Sequence, residues 1–177
     1  NCNPHCYRTG QGPSSGEPFE EPNDSNGSGV GLDEDGNLIL NRNEVRFEYL
    51  WVANAGEGTI SKVDTRELRE VGRFDSVGPN NDGLSPGSQN SPSRTGIDLN
   101  GDMFVANRAF GRQPSVTKIY NRDCIDRNNN GRIETSQDLN GNNVIDRGNP
   151  QEFFGQNDEC YAWTEAIGRS GGTARAL

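Results

Sequence analysis

The sequence predicts an all-β fold built from short antiparallel strands. From residue 38 onward, short alternations of apolar and polar residues are separated by Gly, Asn and Asp, which is the pattern of half-buried strands joined by turns. Gly (23), Pro (9) and Asn (22) together supply nearly a third of the 177 residues, and this disfavours long helices. A third observation is an internal repeat, which indicates that the same strand unit occurs twice.

Eight segments have strand character. The stretch from Ser76 to Ser93 is rich in Gly, Pro, Ser and Asn and predicts a long loop, while Asp98–Asp102 and Asp33–Gly36 have hairpin-turn chemistry. Residues 1–37 show no sustained periodicity, so we interpret them as an extended, irregular N-terminal arm. The expected strands are Leu38–Leu40, Val45–Ala53, Thr59–Asp64, Leu68–Phe74, Thr95–Leu99, Met103–Asn107, Val116–Tyr120 and Cys160–Ile167.

The composition predicts a thin core and argues against nucleic-acid binding and against a membrane span. Leu, Ile, Val and Phe number 33 of 177 residues and the net charge is -9, a combination near the border of intrinsic disorder. The acidic balance and the scattered basic residues argue against nucleic-acid binding. No apolar run reaches the roughly 20 residues that a membrane span requires. A chain of this kind is expected to depend on cross-links.

The repeat is the strongest organisational signal. Leu50–Asn54 (Leu-Trp-Val-Ala-Asn) recurs 53 residues later as Met103–Asn107 (Met-Phe-Val-Ala-Asn), and Ser61–Val63 is matched by Thr117–Ile119. Repeats of this length made only of short strands predict four-stranded propeller-type blades. Because Trp51 and Phe104 recur in the repeat, we expect them to pack between blades. For Trp163 we expect packing as well, with a binding aromatic as the alternative.

This repeat divides the chain after the arm. We expect the blade repeats over residues 38–177, with blade one at about 38–75, blade two at about 93–123, a loop insertion at 124–160 and the start of a third unit at 161–177. About two blades form only an incomplete ring, since propellers typically close with about four to eight. We therefore expect the partners to be further blades of the same polypeptide or other copies of the chain.

The two copies resemble blades of secreted bacterial β-propellers of the streptogramin-lyase-like and YVTN/NHL-like type. The resemblance covers about residues 45–120 and lies in Trp51–Asn54, Gly58–Asp64, Phe104–Asn107 and Ser115–Ile119. Streptogramin lyases use propeller-face histidines with a bound metal. The single histidine of this chain is His5, in the arm, so the resemblance implies no catalytic residue here.

A tandem of two short loops is the principal candidate site. Residues 126–134 follow Asp-x-Asn-x-Asn-Gly-x-x-Glu, and residues 138–146 follow Asp-x-Asn-x-Asn-Asn-x-x-Asp, beginning 12 residues apart. Ca²⁺ takes about six to eight oxygen ligands, which such loops supply from side chains at positions 1, 3, 5 and 9 and a carbonyl at position 7. The expected ligands are Asp126, Asn128, Asn130, Arg132 (carbonyl), Glu134, Asp138, Asn140, Asn142, Val144 (carbonyl) and Asp146.

These loops resemble those of dockerins, of thrombospondin type-3 repeats and of some propeller insertions. Gln137 and Asn149 stand at position 12, where an EF-hand has a bidentate Glu, so no EF-hand helix pair is expected. Ile133 and Ile145, both at position 8, are expected to point inward and anchor the loops. Two carboxylates per loop predict a weak affinity of roughly 10⁻⁴ to 10⁻³ M. The alternative is a solvated polar loop with turn propensity.

The four cysteines predict two disulfides, Cys2–Cys6 and Cys124–Cys160. The second pair brackets the tandem, and a clamp at that spacing would contribute about 3–4 kcal/mol. A zinc site at Cys2, His5 and Cys6 would lack a visible fourth ligand. Disulfides point to an extracellular, cell-surface or periplasmic location.

We expect a non-catalytic, calcium-stabilised structural or interaction module of a secreted or cell-surface protein. Two alternatives remain open at this point. One is the N-terminal part of a lyase-like propeller enzyme, and the other is a subunit of an extracellular fibre.

Overall fold

The computed structural model describes residues 47–174 in full, together with the backbone of two short strands before them, β1 (Val30–Leu32) and β2 (Leu38–Leu40). These strands pair antiparallel, with Val30 opposite Leu40, within a compact unit that ends at Arg46. β1 therefore lies in the segment expected to be irregular. Cys2, His5, Cys6 and the predicted turn at 33–36 lie outside the described residues.

The second compact unit begins at Phe47 and contains two larger antiparallel sheets. The first sheet has the order β3-β4-β5, with strands at Tyr49–Asn54, Thr59–Asp64 and Arg69–Asp75. A four-stranded blade was expected over residues 38–75. The described part of this sheet has three strands, because β2 pairs with β1 instead.

The second sheet has four strands in the order β6-β7-β8-β9. They span Pro92–Ile97, Met103–Asn107, Ser115–Ile119 and Tyr161–Ala166. β9 pairs antiparallel with β8, so residues 161–166 complete the second sheet and do not start a third unit as the sequence suggested. The loop insertion thus lies between the third and fourth strands of one sheet.

The turn at the β6–β7 hairpin is the one that the sequence predicts. The Asp98 Oδ1 atom accepts hydrogen bonds from the backbone N–H groups of Asn100 (2.9 Å) and Asp102 (3.0 Å). Gly101 adopts φ 79°, a left-handed conformation that glycine adopts at little cost. The long loop after β5 is interrupted by a 3-10 turn at Ser88–Asn90. Within the described residues, no helix has the length and apolarity to cross a membrane.

The sequence repeat is a structural repeat. Asn54 Nδ2 donates across the β3–β4 hairpin to Thr59 Oγ1 (3.2 Å), and Asn107 Nδ2 donates across the β7–β8 hairpin to Ser115 Oγ (3.0 Å). The cross-strand lysines also correspond: Lys62 Nζ lies 5.3 Å from the centre of the Trp51 ring, and Lys118 Nζ lies 5.2 Å from the centre of the Phe104 ring. β3 and β4 are therefore the counterparts of β7 and β8.

The core lies between the two sheets. On the first sheet it consists of Trp51, Ile60 and Phe74, and on the second of Met103, Val105, Ile119 and Tyr161. The Phe74 and Tyr161 rings meet edge to face at 6.1 Å, an arrangement that aromatic pairs favour. Tyr161 Oη also donates to the Asp75 carbonyl oxygen (2.9 Å). The packing expected for Trp51 is confirmed. The same expectation for Phe104 is wrong, because Phe104 lies outside this core and contacts Trp163, which is 39% exposed.

Among residues 47–174, both sheets are open and neither closes on itself. The chain is thus all-β with antiparallel sheets, and the assignment of those sheets to a propeller stays a prediction.

Candidate metal centre

The insertion that carries the tandem is closed by a disulfide at its base. Cys124 and Cys160 are bonded across a sequence separation of 36 residues, so this predicted pair is confirmed, and Cys2–Cys6 lies outside the described residues. Next to it, the backbone N–H of Tyr120 donates to the Cys160 carbonyl oxygen (2.8 Å). The disulfide and this hydrogen bond return the chain to the edge of β8, where β9 begins.

The first loop is organised around the carboxylate of Asp126, at position 1. It accepts the backbone N–H groups of Asn130 (3.2 Å) and Gly131 (2.7 Å). The Asn128 Oδ1 atom then accepts the Asn130 N–H (3.0 Å), and Asn130 Oδ1 accepts the Arg132 N–H (2.9 Å). Positions 1, 3 and 5 thus each bind the backbone ahead of them, which curls the loop.

The second loop has the corresponding set of hydrogen bonds. Asp138 accepts the N–H groups of Gly141 and Asn143 (both 2.8 Å). Asn140 Oδ1 accepts the Asn142 N–H (3.0 Å), and Asn142 Oδ1 accepts the Val144 N–H (2.9 Å). The two loops share this pattern although only the first has glycine at position 6.

The backbone angles repeat as well. Positive φ occurs at positions 4 and 6 of both loops: Asn129 (57°) and Gly131 (81°) in the first, Gly141 (73°) and Asn143 (67°) in the second. Glycine and asparagine are the residues that tolerate this conformation. The Gly and Asn have exchanged places between the loops, so the same backbone path is kept by two different sequences.

At position 9 the loops differ. In the first loop, the Glu134 carboxylate accepts Asn128 Nδ2 (2.9 Å) and Asn130 Nδ2 (2.6 Å). Asp126 joins this cluster through the backbone N–H of Asn130, so the cluster contains four of the predicted ligands. In the second loop, Asp146 Oδ1 accepts the N–H of Gly148 (2.7 Å), and no hydrogen bond joins its side chain to those of the other predicted ligands. Arg132 and Val144 take part through their backbone N–H groups.

Two buried glutamates that the sequence did not predict complete the loops. Glu152 Oε1 accepts Asn140 Nδ2 (2.7 Å), and its Oε2 accepts the Asp146 N–H (3.1 Å). Glu159 Oε1 accepts the Arg127 N–H (2.8 Å), and its Oε2 accepts the Glu134 N–H (3.0 Å). Each glutamate therefore binds the backbone of position 9 in one loop. Neither falls within a loop motif, so spacing gave no signal for them.

The insertion holds buried negative charge without cationic partners. Residues 124–160 contain seven acidic residues and three arginines, and Glu152, Asp158 and Glu159 are all at most 3% exposed. Within the described part of the chain, these three carboxylates accept N–H and hydroxyl groups and form no ion pair. These charges are thus stabilised by hydrogen-bond donors alone.

The pKa values of two of these groups are shifted in opposite directions. Burial raises the pKa of the Asp158 carboxyl, against the opposing effect of N–H and hydroxyl donors from Cys160 and Ser136. Hydrogen bonding from the Glu134 backbone, reinforced by that of Arg127, lowers the pKa of Glu159. Burial thus disfavours the charged form of Asp158, whereas hydrogen bonding favours the charged form of Glu159.

The second loop docks on the first sheet. Ile145, at position 8, is fully buried, and its N–H donates to Glu70 Oε2 on β5 (3.1 Å). Arg147 Nη2 bonds Asp75 Oδ1 (3.0 Å) at the end of the same strand. The inward orientation expected of Ile145 is confirmed, but that of Ile133 is wrong, because Ile133 is 43% exposed. An insertion from the second sheet therefore covers the outer strand of the first.

The donor set of each loop combines two carboxylates with amide and carbonyl oxygens, all of them ligands that suit a hard cation. Among residues 47–174, no three acidic, histidine or cysteine side chains are gathered in the manner of a metal centre. Any cation in these loops would thus use Asn oxygens beside two carboxylates, a composition found in weak calcium sites. Comparisons with models of known families, with curated proteins and with solved structures find no match to this chain.

Proposed function

We propose that this chain is a non-catalytic, calcium-stabilised structural or interaction module that works outside the cytoplasm. The observation that carries this proposal is the equivalence of the two loops, with the same side-chain-to-backbone hydrogen bonds from positions 1, 3 and 5 and positive φ at positions 4 and 6. A polar loop that served only as a turn would not need to be built twice in the same register.

The proposed ligands are those that the sequence predicts. Asp126, Asn128, Asn130 and Glu134 would hold an ion in the first loop. In the second, Asp138, Asn140, Asn142 and Asp146 would do so, and the fully buried Glu152, which accepts Asn140 Nδ2, would hold Asn140 in place. Bound calcium would offset the negative charge of the insertion.

The role of calcium would be to hold the insertion against the first sheet. Contacts of Ile145 with Glu70 and of Arg147 with Asp75 connect the second loop to β5. A rigid loop would keep this cover on an edge strand that otherwise presents unpaired backbone groups. Calcium would thus stabilise the packing between the sheets as well as the loops. The Cys124–Cys160 disulfide supports an oxidising location.

We also propose that the two sheets are successive propeller-type blades, related to the lyase-like propellers. The support is the agreement of β3 and β4 with β7 and β8 in strand register and in the Asn and Lys contacts. This assignment concerns the fold and carries no catalytic role.

Calcium titration tests the proposal. Isothermal calorimetry on wild type, Asp126→Asn and Asp138→Asn should show two weak sites in the wild type and the loss of one in each variant. Asp123→Asn is the matched control, since Asp123 is exposed and lies just before the first loop. With Kd at about 10⁻³ to 10⁻⁴ M, 10 mM calcium would stabilise the fold by about 1.4–2.7 kcal/mol per site.

Limited proteolysis gives an independent readout. Chelator should expose the segment 126–146 to cleavage that calcium prevents. An absence of calcium heat, together with identical cleavage with and without chelator, would refute the calcium proposal.

A further inference from the structure

The first sheet has one covered face and one exposed face. Residues alternate between faces along a strand, so Trp51 on β3 faces the second sheet while Leu50 and Val52 face away from it. Trp51 is 7% exposed, whereas Leu50 is 55% and Val52 is 38% exposed. Two apolar side chains therefore lie side by side on the uncovered face of a strand.

In the second sheet the equivalent positions face the other way. Its face toward the first sheet carries Met103 and Val105, which are fully buried. The opposite face, which we call the outer face, carries a cross-strand row of Phe104, Lys118 and Trp163, with Phe104 opposite Lys118 and Lys118 opposite Trp163. The Phe104 and Trp163 rings lie 6.0 Å apart, edge to face.

The repeat relates these faces to one another. Leu50 and Val52 occupy the repeat positions of Met103 and Val105, and Phe104 occupies that of Trp51. Each exposed face is thus the counterpart of a face that is buried in the contact between the two sheets. The internal contact joins a Trp51-type face to a Met103-type face. Among residues 47–174, one face of each type is left unpaired.

We propose that a second copy of this chain docks head to tail, with its Leu50 and Val52 face on the outer face of the second sheet. The contact would repeat the internal one, since the outer face offers the Trp51-type surface and the incoming sheet offers the Met103-type surface. Such a contact joins two different patches and is heterologous, so it can extend into a ring or a filament.

A polar contact supports the same pairing. Within the chain, Lys62 Nζ donates to the carbonyl oxygen of Asn121, two residues after β8 (2.6 Å). Lys118 is the counterpart of Lys62, and Thr65, which follows β4 in the same way, is the counterpart of Asn121. Lys118 Nζ already pairs with Asp98 (3.2 Å) and Asp102 (3.0 Å) in its own chain. Its third N–H would donate to the carbonyl of the exposed Thr65 of the neighbouring copy.

Sedimentation equilibrium over a range of micromolar concentrations tests this inference. The average mass of the wild type should rise above the 19.3 kDa of one chain. Trp163→Glu places a charge on the outer face of the second sheet, and Val52→Glu places one on the Leu50 and Val52 face of the first sheet. Each variant alone should therefore be monomeric. Leu99→Glu is the control, because Leu99 is 78% exposed and lies in the β6–β7 turn instead of on a strand of either face.

Mixing the two variants distinguishes head-to-tail docking from other modes. Trp163→Glu keeps an intact Leu50 and Val52 face, and Val52→Glu keeps an intact outer face, so an equimolar mixture should form a one-to-one dimer that grows no further. A dimer that survives Val52→Glu but not Trp163→Glu would show an outer-face-to-outer-face contact and overturn the proposal. A wild type that stays monomeric at all concentrations would overturn it too, whether or not calcium binds.

Discussion

The Asn107→Ala substitution tests how much the asparagine that ends the repeated strand contributes to the free energy of unfolding. Asn107 is fully buried at the end of β7, and its Nδ2 donates to the Ser76 carbonyl oxygen (2.7 Å) and to Ser115 Oγ (3.0 Å). Its counterpart Asn54 donates to the hydroxyls of Thr59 (3.2 Å) and Ser61 (2.8 Å) and is only half-buried. The two asparagines therefore make similar hydrogen bonds but differ in burial.

The cost of each substitution follows from what is left unpaired. A net hydrogen bond contributes about 0.5–1.5 kcal/mol, and a buried polar group that loses its partner costs about 1–3 kcal/mol. Ser76 would keep a donor in Thr117 Oγ1 (2.7 Å), and within the described residues Asn107 Oδ1 already has no partner, which moderates the loss. We expect about 2–3 kcal/mol for Asn107→Ala and about 1 kcal/mol or less for Asn54→Ala.

Urea unfolding measures both variants. Fluorescence of the buried Trp51 reports the loss of the sheet-to-sheet contact, and an unchanged m-value would show that the shift in midpoint reflects stability alone. The reasoning fails if Asn54→Ala destabilises the protein as much as Asn107→Ala.

Two further predictions concern charge and covalent structure. Burial lowers the pKa of Lys62 to about 8 from its ordinary 10.5, Arg122 adds to this effect and Asp102 opposes it. Because the unfolded chain then holds more protons between these pH values, stability should rise from pH 8 to 10.5, by up to about 3 kcal/mol. Lys62→Met should flatten this rise in urea titrations, and an unchanged slope would contradict the assignment. Replacing both Cys124 and Cys160 by Ala should cost about 3–4 kcal/mol, and a loss under 1 kcal/mol would show that the disulfide adds little.

Strand positions were predictable because they depend on local alternation. Three strands begin and end at the predicted residues, β2 (Leu38–Leu40), β4 (Thr59–Asp64) and β7 (Met103–Asn107), and the other predicted strands are displaced by a few residues at most. β1 was missed since three residues between turns carry almost no periodicity. Likewise, the backbone path of the calcium-type loops follows from residue types at fixed positions, and both loops have it.

Local sequence pattern did not predict which strands pair, which side chains reach the loops or which side chains are buried. β9 pairs with β8 across an insertion, and Glu152 and Glu159 reach the loops from outside their motifs. Trp163 and Ile133 are apolar residues that the sequence assigned to the interior, and they are exposed. Nothing in alternation or spacing specifies which surface a side chain will meet.

By itself, the sequence determined the strands, the turns, the repeat and the curl of each loop, because these arise from interactions between residues a few positions apart. Tertiary structure alone decided that the second loop covers β5, that two glutamates close the loops and that each sheet leaves one apolar face uncovered. The glutamates bind groups up to 32 residues away in sequence, and the loop covers β5 through segments as far apart as Glu70 and Ile145, whose separation is 75. Such contacts form only when the whole chain has packed, since the entropy lost in closing a long loop must be recovered by burial elsewhere.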